Sequence, residues 1–120
     1  KQYNHLFDLP EQYPGVITPW LAFPLVLKKN KYFKRKKLQI YLEKNNIQTR
    51  TIFTGNILRH PAFSKLISSR NKLDEFPKAD YIMKYGLLIG CHQGLSKIDI
   101  SYMHSVILNF KKIKKILDQN

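Results

Sequence analysis

The chain is short of acid, cysteine, tryptophan and glycine. Its 120 residues hold 8 Asp and Glu against 21 Lys and Arg, with 1 Cys, 1 Trp and 5 Gly. One cysteine, Cys91, excludes an internal disulfide framework and fits a reducing cytoplasm. That thiol and the scattered His5, His60, His92 and His104 lack the spacing of a zinc site, so no metal is expected. Acids dispersed over polar segments do not make the paired carboxylates of a hydrolase. Cys91 and His92 are adjacent, and neighbouring strand residues point to opposite faces, so they are no catalytic dyad. The longest apolar run, Pro19 to Leu27, falls well short of the roughly 18 residues of a membrane span, and no membrane partner is expected. Lys1 to His5 carry neither an initiator Met nor a signal-peptide pattern, and the expectation is an internal or processed piece of a longer protein.

What is present suits one folded domain: 43% hydrophobic and 12% aromatic residues build an ordinary core. The net charge of +13 raises the question of nucleic acid. Only Arg35, Arg50, Arg59 and Arg70 are arginines, and the Lys-, Ile- and Asn-rich remainder is what an AT-rich genome writes on any solvated surface. No nucleic-acid partner is expected; a stand-alone basic module, binding in a salt-sensitive way, is the rival from another class.

The pattern predicts a small three-stranded α+β unit with about three helices. After an extended lead-in over residues 1–19, Trp20 to Leu27 reads as a strand, with Pro24 demanding an edge or a bulge. Arg35 to Asn46 is a helix with Leu38, Tyr41 and Leu42 on one face, and Ile47 to Thr54 a second strand. Pro61 to Leu66 is a helical turn and Ile67 to Glu75 a polar loop. Pro77 starts a helix that runs to about Lys84 and is closed by Gly86. Leu87 to Cys91 is the third strand. Ser96 and Asp99 form a capping-box pattern ahead of Ile98, Tyr102, Met103, Val106, Ile107, Phe110, Ile113 and Leu117 at helical spacing. Lys111, Lys112, Lys114 and Lys115 then sit where the helix dipole favours cations. Trp20 and Phe23 read as core.

The chemistry concentrates in Thr49 to Phe63. Arg50 and Arg59 flank Gly55-Asn56, and a guanidinium fork suits carboxylate or phosphate oxygens. Gly55 permits positive φ, and Asn56 offers both donor and acceptor; a plain turn explains that pair equally well. Gly90-Cys91-His92-Gln93-Gly94-Leu95-Ser96 could cradle an anion before a helix, or be a simple connection. It lacks the lysine and spacing of a P-loop.

Several motifs in order carry a resemblance: Pro19-Trp20-Leu21-Ala22-Phe23-Pro24, Thr49-Arg50, Phe53-Thr54-Gly55-Asn56-Ile57-Leu58-Arg59-His60-Pro61, Ala79-Asp80, and Gly90 to Ser96. From about Phe7 to Phe110 the chain resembles the C-terminal small domain of the DegT-type sugar aminotransferase family, fold-type-I pyridoxal phosphate enzymes acting on nucleotide-linked keto sugars. Gly55-Asn56-x-x-Arg59-x-Pro61 is most similar to the branch that removes the C3 hydroxyl of 4-keto-6-deoxysugars, the 3-dehydratases. It departs from that branch at His60, commonly Gln, and at Thr54, commonly Ala.

The resemblance implies a large domain before Lys1 that holds pyridoxal phosphate or pyridoxamine phosphate, with residues 1–19 leading from it into a small domain over 20–120. The cofactor would supply the carbanion chemistry. No catalytic residue is assigned to this chain, and the 120 residues alone are expected to be inactive. Arg50, Gly55, Asn56, Arg59 and His92 would line the substrate side of a cleft between the domains, with Arg59 and Asn56 foremost for sugar or diphosphate contacts. The implied setting is cytoplasmic deoxysugar or lipopolysaccharide synthesis by a homodimer. Amino transfer by the same scaffold is the alternative.

Overall fold

Short, continuously apolar runs such as Ala22–Leu27 and Gly86–Gly90 suit the middle of a small sheet, and the computed structural model builds one. It describes residues 3, 5–29, 34–66 and 75–117, the side chains of 64–66 and 111–117 apart. Among the described residues four strands pair antiparallel in the order β1-β2-β4-β3: β1 Phe7–Asp8, β2 Ala22–Leu27, β3 Thr49–Thr51 and β4 Gly86–Gly90. The same residues form three α-helices: α1 Arg35–Lys44, α2 Pro77–Tyr85 and α3 Lys97–Leu117. The α+β class and helix count agree with the sequence pattern. The sheet gains a fourth strand because Phe7 pairs with Leu27 and Asp8 with Val26, within the stretch read as a lead-in. Two residues carry too little periodicity to register as a strand; what fixes them is burial, with Leu6 and Phe7 both in the core.

Residues directly opposite in an antiparallel ladder share a face. Phe23, Ile89 and Thr49 stand in one row, and Leu25 and Leu87 in the next with Thr51. This face meets Leu38 and Leu42 of α1 and Val106 and Ile107 of α3, and forms the core. The ring of Tyr41 lies 4.9 Å from that of Phe110, closing the α1–α3 contact. The other face carries Ala22 beside Gly90, and Pro24 in a row with Leu88 and Arg50. Pro24 is accommodated because β1 ends at its pairing with Val26, leaving β2 an edge strand beyond that point. Trp20, read as core, instead lines this second face, its ring 5.9 Å from the partly buried Phe23.

Gly86 does close α2, for a different reason from a left-handed cap. Its φ is −84° and it opens β4 directly. A Cβ there would lie 2.6 Å from the Ile82 carbonyl oxygen and 2.6 Å from Ile52 Cδ1, so only glycine lets helix and strand join without a linker. Tyr81 pins α2 to the end of β2: its hydroxyl donates to the Leu27 carbonyl at 3.3 Å and accepts from the Lys29 amide at 3.2 Å. Residues 67–74 of the polar loop expected over 67–75, and the side chains of Lys111 to Lys115, Ile113 and Leu117, lie outside the described residues.

Candidate functional site

Two positive-φ residues turn the chain out of β3. Phe53 sits at φ 44° and Gly55 at φ 66°. Gly55 has two reasons to be glycine. Its backbone is left-handed, and a Cβ would lie 2.4 Å from Met83 Cβ and 2.9 Å from Met83 Cα on α2. The turn is therefore pressed against that helix.

Asn56 follows, only 3% exposed. Its Oδ1 accepts from the Leu58 amide at 3.1 Å, starting the 3-10 turn Ile57–Arg59, and its Nδ2 donates to Asp80 Oδ1 at 2.8 Å. Arg59 comes to the same carboxylate with a two-pronged grip, Nε to Oδ1 and an Nη to Oδ2, each at 2.5 Å. Asp80 stands in the first turn of α2, where a helix favours an anion. The Arg59 hydrogen bonds, then that of Asn56, hold its carboxyl below the usual carboxylate range. The loop and α2 thus share one charged lock, with Met83 against Gly55 as its apolar half.

The structure brings Gly55, Asn56 and Arg59 together and gives Arg50 and His92 other places. Arg50 is exposed on β3 and lines a cleft of about 700 Å³ on the open sheet face, with Trp20, Pro24, Ile52, Phe53 and Leu88. His92 lies in the β4–α3 connection, where its Nδ1 accepts from the Gly94 amide at 3.1 Å. Sequence reasoning left Asp80 out of the site, although Ala79-Asp80 stood among the motifs. The signal available was scarcity: with 8 acids for 21 cations, a carboxylate at the start of a helix is a natural anchor for an arginine.

The connection before α3 does not fit a cofactor's phosphate. Asp99 Oδ2 accepts from the Ser96 amide at 2.8 Å and the Ser96 hydroxyl at 2.7 Å, while Ser96 Oγ accepts from the Asp99 amide at 3.2 Å. This reciprocal cap engages the Ser96 and Asp99 amides and sets a carboxylate at the helix start, which repels an incoming anion. The same bonds hold the Asp99 carboxyl low. Among the described residues no group of three or more His, Cys, Asp and Glu could hold a metal ion, and no helix is long and apolar enough to cross a membrane.

Comparison with known proteins places this architecture. The chain is 30% identical over 107 residues to the lipopolysaccharide biosynthesis protein RfbH of Salmonella typhimurium, covering 89% of this chain and 24% of that protein. It is 31% identical over 103 residues to dTDP-4-dehydro-2,6-dideoxy-D-glucose 3-dehydratase of Saccharopolyspora spinosa, covering 85% and 22%. Among solved structures, an E. coli GDP-4-keto-6-deoxy-D-mannose-3-dehydratase with bound hydrated PLP matches with a TM-score of 0.69 at 25% identity, over 88% of this chain and 26% of that one. A Brucella abortus DegT DnrJ EryC1 StrS aminotransferase matches with a TM-score of 0.71 over 90% and 27%; at 17% identity this is a likeness of fold. The chain spans about a quarter of the length of the relatives it matches. Residues 5–107 match the family model described as the DegT/DnrJ/EryC1/StrS aminotransferase family, and the chain belongs to that family.

Proposed function

We propose that this chain is the C-terminal small domain of a pyridoxal or pyridoxamine phosphate-dependent nucleotide-sugar enzyme, a 4-keto-6-deoxysugar 3-dehydratase of deoxysugar or lipopolysaccharide synthesis. One observation carries the reading: the Gly55-Asn56-x-x-Arg59 loop, locked to α2 through Asp80, lies in a chain whose similar proteins include several named as 3-dehydratases. The large domain, preceding this one, holds the cofactor, in keeping with a carboxylate rather than an anion site at the start of α3. Such an enzyme works in the cytoplasm as a homodimer.

The residues here bind and orient substrate. Gly55, Asn56 and Arg59 shape the loop at the substrate side of the cleft between domains, with Asp80 fixing their polar atoms. Arg50 brings a guanidinium to the exposed sheet face and His92 edges the β4–α3 connection.

The test is to express the longer reading frame that contains this chain, supply pyridoxal phosphate and glutamate, and feed it GDP- and CDP-linked 4-keto-6-deoxysugars. A product lacking the C3 oxygen, seen by mass spectrometry, supports the dehydratase. An amino sugar as sole product moves the assignment to amino transfer. A histidine at the cofactor-linked position accords with the first outcome and a lysine with the second.

A further inference from the structure

The cations of the chain collect at one end of the sheet. Val26 pairs with Gly86, so β2 leaves the sheet where α2 ends and β4 begins, and Lys28 and Lys29 follow it there. Arg35 ties the start of α1 to the same joint, an Nη donating to the Gly86 carbonyl at 3.2 Å. Lys34, Lys36 and Lys37 stand exposed around it, and exposed Lys84 lies in the last turn of α2. The Tyr102 hydroxyl of α3 donates to the Asn45 carbonyl at 3.1 Å, just past the end of α1, while the Phe110 ring lies against Tyr41. Helix α3 therefore runs back along α1, and the backbone of its last turns heads for the same pole. The sequence there holds Lys111, Lys112, Lys114 and Lys115, and roughly half of the 21 basic residues belong to these segments.

A lysine-rich composition accounts for the number of these residues and not for their place. Helix starts favour anions, yet α1 opens on Lys34-Arg35-Lys36-Lys37 with no acid in its first turn and no side-chain cap. Arg35 serves the fold through Gly86; the three exposed lysines oppose the helix dipole. Lys28 meets Asp8 at 3.4 Å, a half-exposed pair that offsets one charge of the pole.

The type of cation narrows the partner. Specific protein interfaces are poor in lysine and rich in arginine and aromatic residues. Base recognition draws on arginine forks and open aromatic faces, whereas Tyr81 and Tyr85 at this end are half-buried, 4.8 Å from each other, with the Tyr81 hydroxyl bonded into the fold. Lysine is a hydrated point charge on a flexible stem, which reads charge density rather than shape. We propose that this pole adsorbs the protein to an anionic lipid surface, with Lys29, Lys34, Lys36 and Lys37 among the headgroup phosphates. Such adsorption needs no spanning helix; a cluster of four to eight basic residues on an amphipathic helix is enough.

Binding to vesicles measures this directly. The protein from the longer reading frame is spun with phosphatidylcholine vesicles, and with vesicles in which phosphatidylglycerol replaces part of that lipid. Cosedimentation with the anionic vesicles alone is expected, lost between about 0.05 M and about 0.5 M salt. Lys34→Gln, Lys36→Gln and Lys37→Gln together should weaken it about a hundredfold, at roughly fivefold per lysine. The same charge is removed elsewhere by Lys44→Gln, Lys78→Gln and Lys97→Gln, all exposed, which should leave binding within about twofold of the unsubstituted protein. Because the first three lysines oppose the helix dipole, their loss should hold or raise the melting temperature. No cosedimentation at low salt overturns the proposal, as does an equal effect of the two triple variants, which would make net charge the cause. A lower melting temperature in the first variant would assign these lysines to the fold and sink it too. Duplex DNA or RNA bound where vesicles are not would give the pole to nucleic acid and end the lipid proposal. None of these readouts uses activity, so the dehydratase reading stands or falls apart from this one.

Discussion

Gly55 and Phe53 sit two residues apart and meet the same backbone demand, a positive φ, in opposite surroundings. Gly55 combines a left-handed φ with a Met83 contact that no Cβ could enter. Gly55→Ala should therefore cost about 2–4 kcal/mol, from overpacking added to backbone strain, read as a lower midpoint in urea unfolding. Phe53 carries the strain without the burial, so Phe53→Gly should raise stability by about 0.5–1 kcal/mol in the same assay. Asn56 is the buried polar residue of the loop, and every polar side-chain atom it has is used. Asn56→Ala should cost about 1–2 kcal/mol, whereas substitution of exposed Thr54 should change little.

Between elements, the decisive joints are carboxylates at helix starts. Asp80 ties α2 to the 56–59 loop, and Asp99 closes the cap of α3. Both carboxyls are held below their ordinary range in the folded chain, by Arg59 and Asn56 in one case and by Ser96 in the other. A depressed folded value means that the stabilisation is fully present above the unfolded carboxylate pKa, near about 4, and is lost as pH falls through the lower folded value. Stability measured from pH 6 down to pH 2 should fall through that acid window. Asp80→Asn should flatten the fall, and an unchanged profile in that variant would show that the lock contributes nothing to acid stability. Ser96→Ala tests the second joint alone, with an expected loss of about 1 kcal/mol.

At the scale of the whole molecule, the sheet is covered by α1 and α3 on one side, while the cleft face keeps Leu21 94% exposed beside Phe53. On the proposed reading, a surface of that kind, in a chain spanning a quarter of its relatives, is part of a larger working unit. The 120 residues alone should show no dehydration or amino transfer when given pyridoxal phosphate, glutamate and a 4-keto sugar nucleotide; measurable turnover would refute the assignment. The basic-module rival makes a different forecast, an affinity for DNA or RNA that falls steeply with salt. No binding at low salt removes it.

The α+β class, the helices and the family motifs were legible in the sequence, because each rests on local pattern: apolar spacing in α1 and α3, Pro77 at the start of α2, Ser96 with Asp99 at the start of α3. Gly55, Asn56 and Arg59 were legible as a cluster for the same reason. Strand order, the two-residue β1 and the open face of Trp20 were not, since they depend on pairing between residues far apart in the chain. The Asp80 lock belongs to the same class: Arg59 and its carboxylate are separated by 21 positions, and tertiary packing, Met83 against Gly55 included, sets α2 beside the loop. Local chemistry named the residues; tertiary contact decided which of them hold the loop in place and which face the open cleft.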